Sequence, residues 1–211
     1  MKVKLFAIHL FFIVISFGIK YYHLQGPNLI WNMTLALIAL DFAYLTSLFK
    51  KKILIGLFAL AWFFFYPNTF YMLTDIIHMH FVGDVLYNKT NLILYILYVS
   101  SILFGFLSGI ESFSVIMRKF RISNIFLRWG IIGIVSFVSS FGIHIGRYAR
   151  LNSWDILTKP QVVINELLAV PSRDSFHFIL GFTFLQVLCL IFMDYSAGKS
   201  LKSELFFVNI Y

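Results

Sequence analysis

The sequence predicts an all-α fold: a polytopic transmembrane helical bundle of about six helices, with the third helix broken at Pro67 and one short interfacial helix before the last span. Three observations carry that prediction. The 211 residues are 60% hydrophobic and 12% charged, with a mean hydropathy of +0.87. Soluble domains carry roughly 25% charged residues, so this chain cannot cover a surface that faces water. Aromatic residues make up 19%, 26 of them phenylalanine, which suits a lipid-facing exterior. Apolar runs of spanning length also recur along the chain, parted by short polar and basic segments. No composition shift divides it, and residues 1–211 read as one transmembrane domain.

The first run, Leu5 to Ile19, ends in Lys20, Tyr21, Tyr22 and His23 with no small-x-small cleavage site, so it reads as a retained helix and not a signal peptide. Gly26 and Pro27 turn the chain, and Asn28 is placed to cap the second helix, Leu29 to Phe49. Lys50, Lys51 and Lys52 follow as the sharpest charge cluster. The third run goes from Ile53 to Tyr66, where Pro67 removes a backbone donor and interrupts it. An amphipathic stretch, Thr69 to Phe81, leads to a turn through Gly83, Asp84, Asn88 and Lys89. The fourth helix runs from Leu92 to Met117 and the fifth from Ile125 to about Tyr148. The polar segment from Arg150 to Asp174 holds the interfacial helix, Gln161 to Ala169, before the sixth run, Phe176 to Met193.

Orientation follows from the basic residues. Lys2, Lys4, Lys50 to Lys52, Arg118, Lys119, Arg121, Lys199 and Lys202 collect on one side, which the positive-inside rule makes cytoplasmic, with both termini there. The net charge of +8 is thereby a topological signal; because the charges sit between apolar runs and not along one face, no nucleic-acid partner is expected. Cys189 is the lone cysteine, which excludes an internal disulfide and a thiolate metal cluster. The last outer loop, carrying Arg147, Arg150, Lys159 and Arg173, breaks the charge rule. Charge placed where topology disfavours it needs another reason.

Polar residues converge on that outer side. In an α-helical reading of Thr69 to Phe81, the three- and four-residue spacings put Asn68, Tyr71, Asp75 and His78 on one face. Asp75 and His78 have the chemistry of a divalent-metal ligand pair or an acid–base couple, or simply of a wet interfacial helix. On the fifth helix, Gly133, Ser136, Ser140, His144 and Arg147 form a stripe, with small residues deep and His144 and Arg147 near the mouth. Arg147 and Arg150 lie one turn apart and suit forked bonds to a phosphate or carboxylate, or an ion pair with Asp75 or Asp155. Trp31 and Asn32 stand at the outer end of the second helix, where a Trp is usually an interfacial anchor. Deeper, Asp41 and Glu111 are expected to be paired, hydrated or protonated: either a contact between helices or a proton or cation path.

The blocks Pro67-Asn68…Tyr71…Thr74-Asp75…His78, Trp31-Asn32, and Gly146-Arg147…Arg150…Asn152-Ser153-Trp154-Asp155 resemble a family of uncharacterised bacterial integral membrane proteins, the domain of unknown function numbered one-three-six-one. The resemblance implies a multi-pass protein of the bacterial cytoplasmic membrane and brings no activity, cofactor or catalytic residue. The residues themselves lead to an extracytoplasmic-facing site for a small polar or anionic group, such as an anionic lipid head group or envelope precursor. Its expected ligand-binding residues are Asn68, Tyr71, Asp75, His78, His144, Arg147, Arg150, Asn152, Trp154 and Asp155. A membrane-embedded hydrolase or transferase using a divalent metal on Asp75, His78 and His144 is the alternative, and a transporter working through Asp41 and Glu111 a further one.

Overall fold

The computed structural model describes residues 2–81, 83–151, 154–169 and 173–193, and among them it contains helices and no strand. In chain order these are α1 (Lys2–Tyr21), α2 (Leu29–Leu48), α3 (Lys52–Phe65), α4 (Pro67–Tyr71), a 3₁₀ segment (Met72–Phe81), α5 (Lys89–Lys119), α6 (Ile125–Tyr148), α7 (Asp155–Thr158), α8 (Pro160–Ala169) and α9 (Arg173–Phe192). Six stretches are long and apolar enough to cross a membrane, and the short helix α8 precedes the last of them. The tail beyond residue 193, with Lys199 and Lys202, lies outside the described residues.

Asparagine starts three of the long helices. Asn28 accepts from the Trp31 amide, Asn88 from those of Thr90 and Asn91, and Asn124 from that of Leu127. Each side chain satisfies donors that the first helical turn leaves open. In the third span the missing Pro67 N–H interrupts the ladder without turning the chain aside. Tyr66 keeps helical angles, φ −54° and ψ −40°, so α3, α4 and the 3₁₀ segment follow one another across the membrane. Asn68 Nδ2 donates to the Phe65 carbonyl at 2.9 Å and Thr69 Oγ1 to that of Tyr66 at 2.7 Å, which serves backbone acceptors beside the break.

Helix α2 sits centrally against α3, α4 and α5, while α6 and α9 pack on each other and meet the rest largely through α4. The small residues of α5 do what close packing requires. A Cβ at Gly105 would run into Met72, and one at Gly109 into Thr69. On the other side Gly142 of α6 receives Pro67. Helix α4 is thus wedged between α5 and α6, with its own Phe70 and the preceding Tyr66 fully buried.

The two deep acids take different partners. Glu111 accepts from Lys4 Nζ at 2.6 Å and Tyr44 Oη at 2.9 Å, with Arg118 Nη2 at 3.5 Å. Asp41 lies 3.4 Å from His9 Nε2. These acids tie α1, α2 and α5 together, each through its own contacts. Lys50, Lys51 and Lys52 are exposed at the same end of the bundle, hereafter the basic end.

Candidate functional site

At the opposite end, the 3₁₀ segment carries Asp75 into the junction of three long helices. Its carboxylate is buried and accepts from Asn32 Nδ2 of α2 at 2.7 Å, with Arg147 Nη1 of α6 at 3.5 Å. Its backbone carbonyl accepts from Tyr98 Oη of α5 at 2.5 Å. A second arginine nitrogen, Arg147 Nη2, meets His78 Nε2. Arginine can only donate, so in this contact His78 Nε2 is the acceptor. Arg147 therefore spans Asp75 and His78 with one guanidinium.

Asp75 and His78 meet the same guanidinium because of the local helix type. A 3₁₀ helix has three residues per turn, so residues 75 and 78 eclipse each other along its axis. The α-helical periodicity expected for this stretch is corrected, yet its pairing of the two residues stands. Burying a lone carboxylate would cost several kcal/mol, and the donors gathered from α2 and α6 offset that cost.

Beside this cluster lies a cavity of about 610 Å³ between α2, α3, α4, α6 and α8. His78, Arg147 and Arg150 line its mouth, with Asn68 and Tyr71 on the α4 side. Leu35, Phe63, Phe64, Phe141 and Ile143 form apolar wall. Tyr66 and Ser139 also line it, and their hydroxyl oxygens are buried without a hydrogen-bond partner. Arg150 is exposed and makes no ion pair among the described residues. It follows α6 with φ 54°, the left-handed angle that ends a helix and turns the chain across the mouth.

Several expected site residues sit elsewhere. The His144 ring lies against Tyr148 at 4.5 Å and Phe178 of α9 at 5.5 Å between centroids. No group of three or more His, Cys, Asp or Glu side chains suited to a metal occurs among the described residues. The expected triad of Asp75, His78 and His144 is not assembled. The reason is rotational. Ser136, Ser140 and His144 advance by four residues and stay turned to α9, where Gln186 Nε2 donates to Ser140 Oγ at 2.9 Å. Arg147 comes three residues later, about 60° back around the helix from His144, and its long side chain reaches the cavity that Gly142, Ile143 and Gly146 also line.

Trp154 packs edge-on against Trp31, centroids 5.8 Å apart, which joins α2 to the start of α7. Asp155 is buried at the head of α7, where it accepts from Thr158 Oγ1 at 3.2 Å and faces Lys159 Nζ at 3.9 Å. Neither residue lines the cavity. Asn152 lies outside the described residues. Two contributors escaped the sequence reading of the site. Asn32 stood beside a tryptophan that explained the local polarity, and Tyr98 lies in the first, largely apolar half of α5, where a second tyrosine, Tyr95, stands three residues before it and residue type does not distinguish the two.

Six helices of spanning length define a multi-pass membrane protein, with a cation-bordered cavity at one end of its bundle. The chain belongs to the family described as Protein of unknown function (DUF1361), whose model matches residues 31–189. That match takes in Asn32, Asp75, His78 and both mouth arginines. No curated protein and no solved structure matches the chain.

Proposed function

We propose that this is a protein of the bacterial cytoplasmic membrane, with both termini cytoplasmic, whose cavity faces outward at head-group level and binds an anionic ligand such as a lipid head group. Asn68, Tyr71, His78, Arg147 and Arg150 would meet that ligand, while Asp75, with Asn32 and Tyr98, fixes Arg147 in place. The exposed lysines at the basic end support the orientation through the positive-inside rule.

The observation that carries the reading is the charge left at the mouth. Arg147 is shared with Asp75, but Arg150 lines the same cavity without an ion pair among the described residues. Arginine presents donors in a planar fork matched to phosphate and carboxylate, and the membrane surface supplies both.

The test is the lipid retained on purification in a mild nonionic detergent. The double variant Arg147→Gln/Arg150→Gly should lose bound anionic lipid, and Arg150→Gly alone should lose part of it. Retention equal to wild type in both variants would refute the proposal.

A further inference from the structure

We infer that two copies of this chain associate in the membrane through the open groove between α1 and α2, where His9 and Asp41 of each copy complete the ion pair of the other. Depth is the first argument. Asp41 stands ten residues after Trp31, at one end of α2, and nine before Lys50, just past the other. Those steps are roughly 15 Å and 13 Å of helix rise. The hydrocarbon layer is about 30 Å thick, so the carboxylate falls near its middle.

Coverage sets this acid apart from the other two within the spans. The side chains of Asp75 and Glu111 are 1% and 17% exposed, and each draws donors from more than one residue. Asp41 is 37% exposed and has one polar partner among the described residues, His9 Nε2 at 3.4 Å, itself on a side chain 39% exposed. The other nitrogen, His9 Nδ1, is committed to its own helix and donates to the Leu5 carbonyl at 2.9 Å. The pair therefore turns an unfilled side out of the bundle, where lipid tails offer neither donor nor acceptor.

The ground around it has the anatomy of an interface. Helix α1 packs chiefly on α5 and more lightly on α2, which leaves the groove open. Phe6 and Ile13, one turn before and after His9, are exposed. Ile38 and Leu45, one turn before and after Asp41, are half-buried. A polar centre is thus ringed by apolar side chains able to exclude lipid from it.

Symmetry selects a second copy as the occupant. Two copies inserted the same way are related by a two-fold axis along the membrane normal, and that operation preserves depth. A second copy brings a base and an acid to the level where the first lacks partners, with no further coincidence. In such a contact the first copy's His9 meets the second copy's Asp41, and the reverse. Crossing the two pairs sets base beside acid four times and places each carboxylate between two imidazoles.

The test measures association of the full chain by single-molecule photobleaching in vesicles of phosphatidylethanolamine and phosphatidylglycerol, over a dilution series. Wild type should be dimeric. The double variant His9→Phe/Asp41→Leu removes both polar groups together and should weaken association about ten-fold, the effect of two polar contacts between membrane helices. Ile38→Trp leaves the pair intact, obstructs the groove and should weaken it as well. A cross-linking arm avoids altering the pair: in a Cys189→Ala background, Ile13→Cys should form a disulfide-linked dimer under mild oxidation in the membrane, and Phe184→Cys on α9 should not. Monomeric wild type at every dilution would overturn the inference. So would a dimer indifferent to both the double variant and Ile38→Trp, or an Ile13→Cys chain that cross-links only to a different protein.

Discussion

The two ends of this bundle each hold a carboxylate tied to a cation from another helix, and they differ in what surrounds the pair. At Glu111 the cationic partners are the outer parts of long side chains: Lys4 is 60% and Arg118 58% exposed. At Asp75 the partner is Arg147, 19% exposed, against a carboxylate at 1%. Exposed pairs are screened and contribute little. A buried pair adds little net stability itself, but losing one partner strands a charge. The basic end therefore reads as topology with a tether. The other end reads as a rigid scaffold that holds one arginine at a cavity.

Mutation can sharpen that contrast, beginning with its largest expected effect. Arg147→Gln leaves Asp75 without its cation and should cost about 3–5 kcal/mol of stability, measured by chemical unfolding in detergent. A loss no greater than that of Lys4→Ala would erase the distinction between the ends. Asn32→Ala removes the 2.7 Å bond to the same carboxylate and should cost about 1.5–3 kcal/mol. Tyr98→Phe deletes one bond to a carbonyl, for about 0.5–1.5 kcal/mol in the same assay. Lys4→Ala should shift stability by less than about 1 kcal/mol, and a larger loss would mean that the Glu111 contacts act as a buried network.

Much of the architecture was readable because it follows from local chemistry. Asn28 caps a helix wherever the chain places it, and Pro67 lacks its N–H in any fold. Gly105 and Gly109 allow close approach by their size alone, but residue type does not say that Met72 and Thr69 are the side chains that approach. Arg147 and Arg150, singled out by their breach of the charge rule, both line the cavity. What stayed hidden depends on rotation and on partners distant in sequence. His144 and Arg147 looked like one stripe, but a three-residue step in place of a four-residue one sends them to different neighbours. Asn32 and Asp75 are 43 residues apart, and neither residue type specifies the other. Asp41 and Glu111, grouped by their depth, turned out to be held by different bases.

The central claim is that the cations at the cavity mouth bind an anion while those at the basic end do not share that task. Its most direct test is the affinity of an anionic diacyl lipid for wild type, Arg150→Gly and Lys51→Ala. Arg150 occupies a left-handed backbone position where glycine is comfortable, so its replacement should leave the fold intact. Affinity should fall about five-fold in Arg150→Gly, the effect of roughly 1 kcal/mol per cation near a membrane surface, and stay at the wild-type value in Lys51→Ala. Equal losses in both variants, or none in Arg150→Gly, would contradict the account.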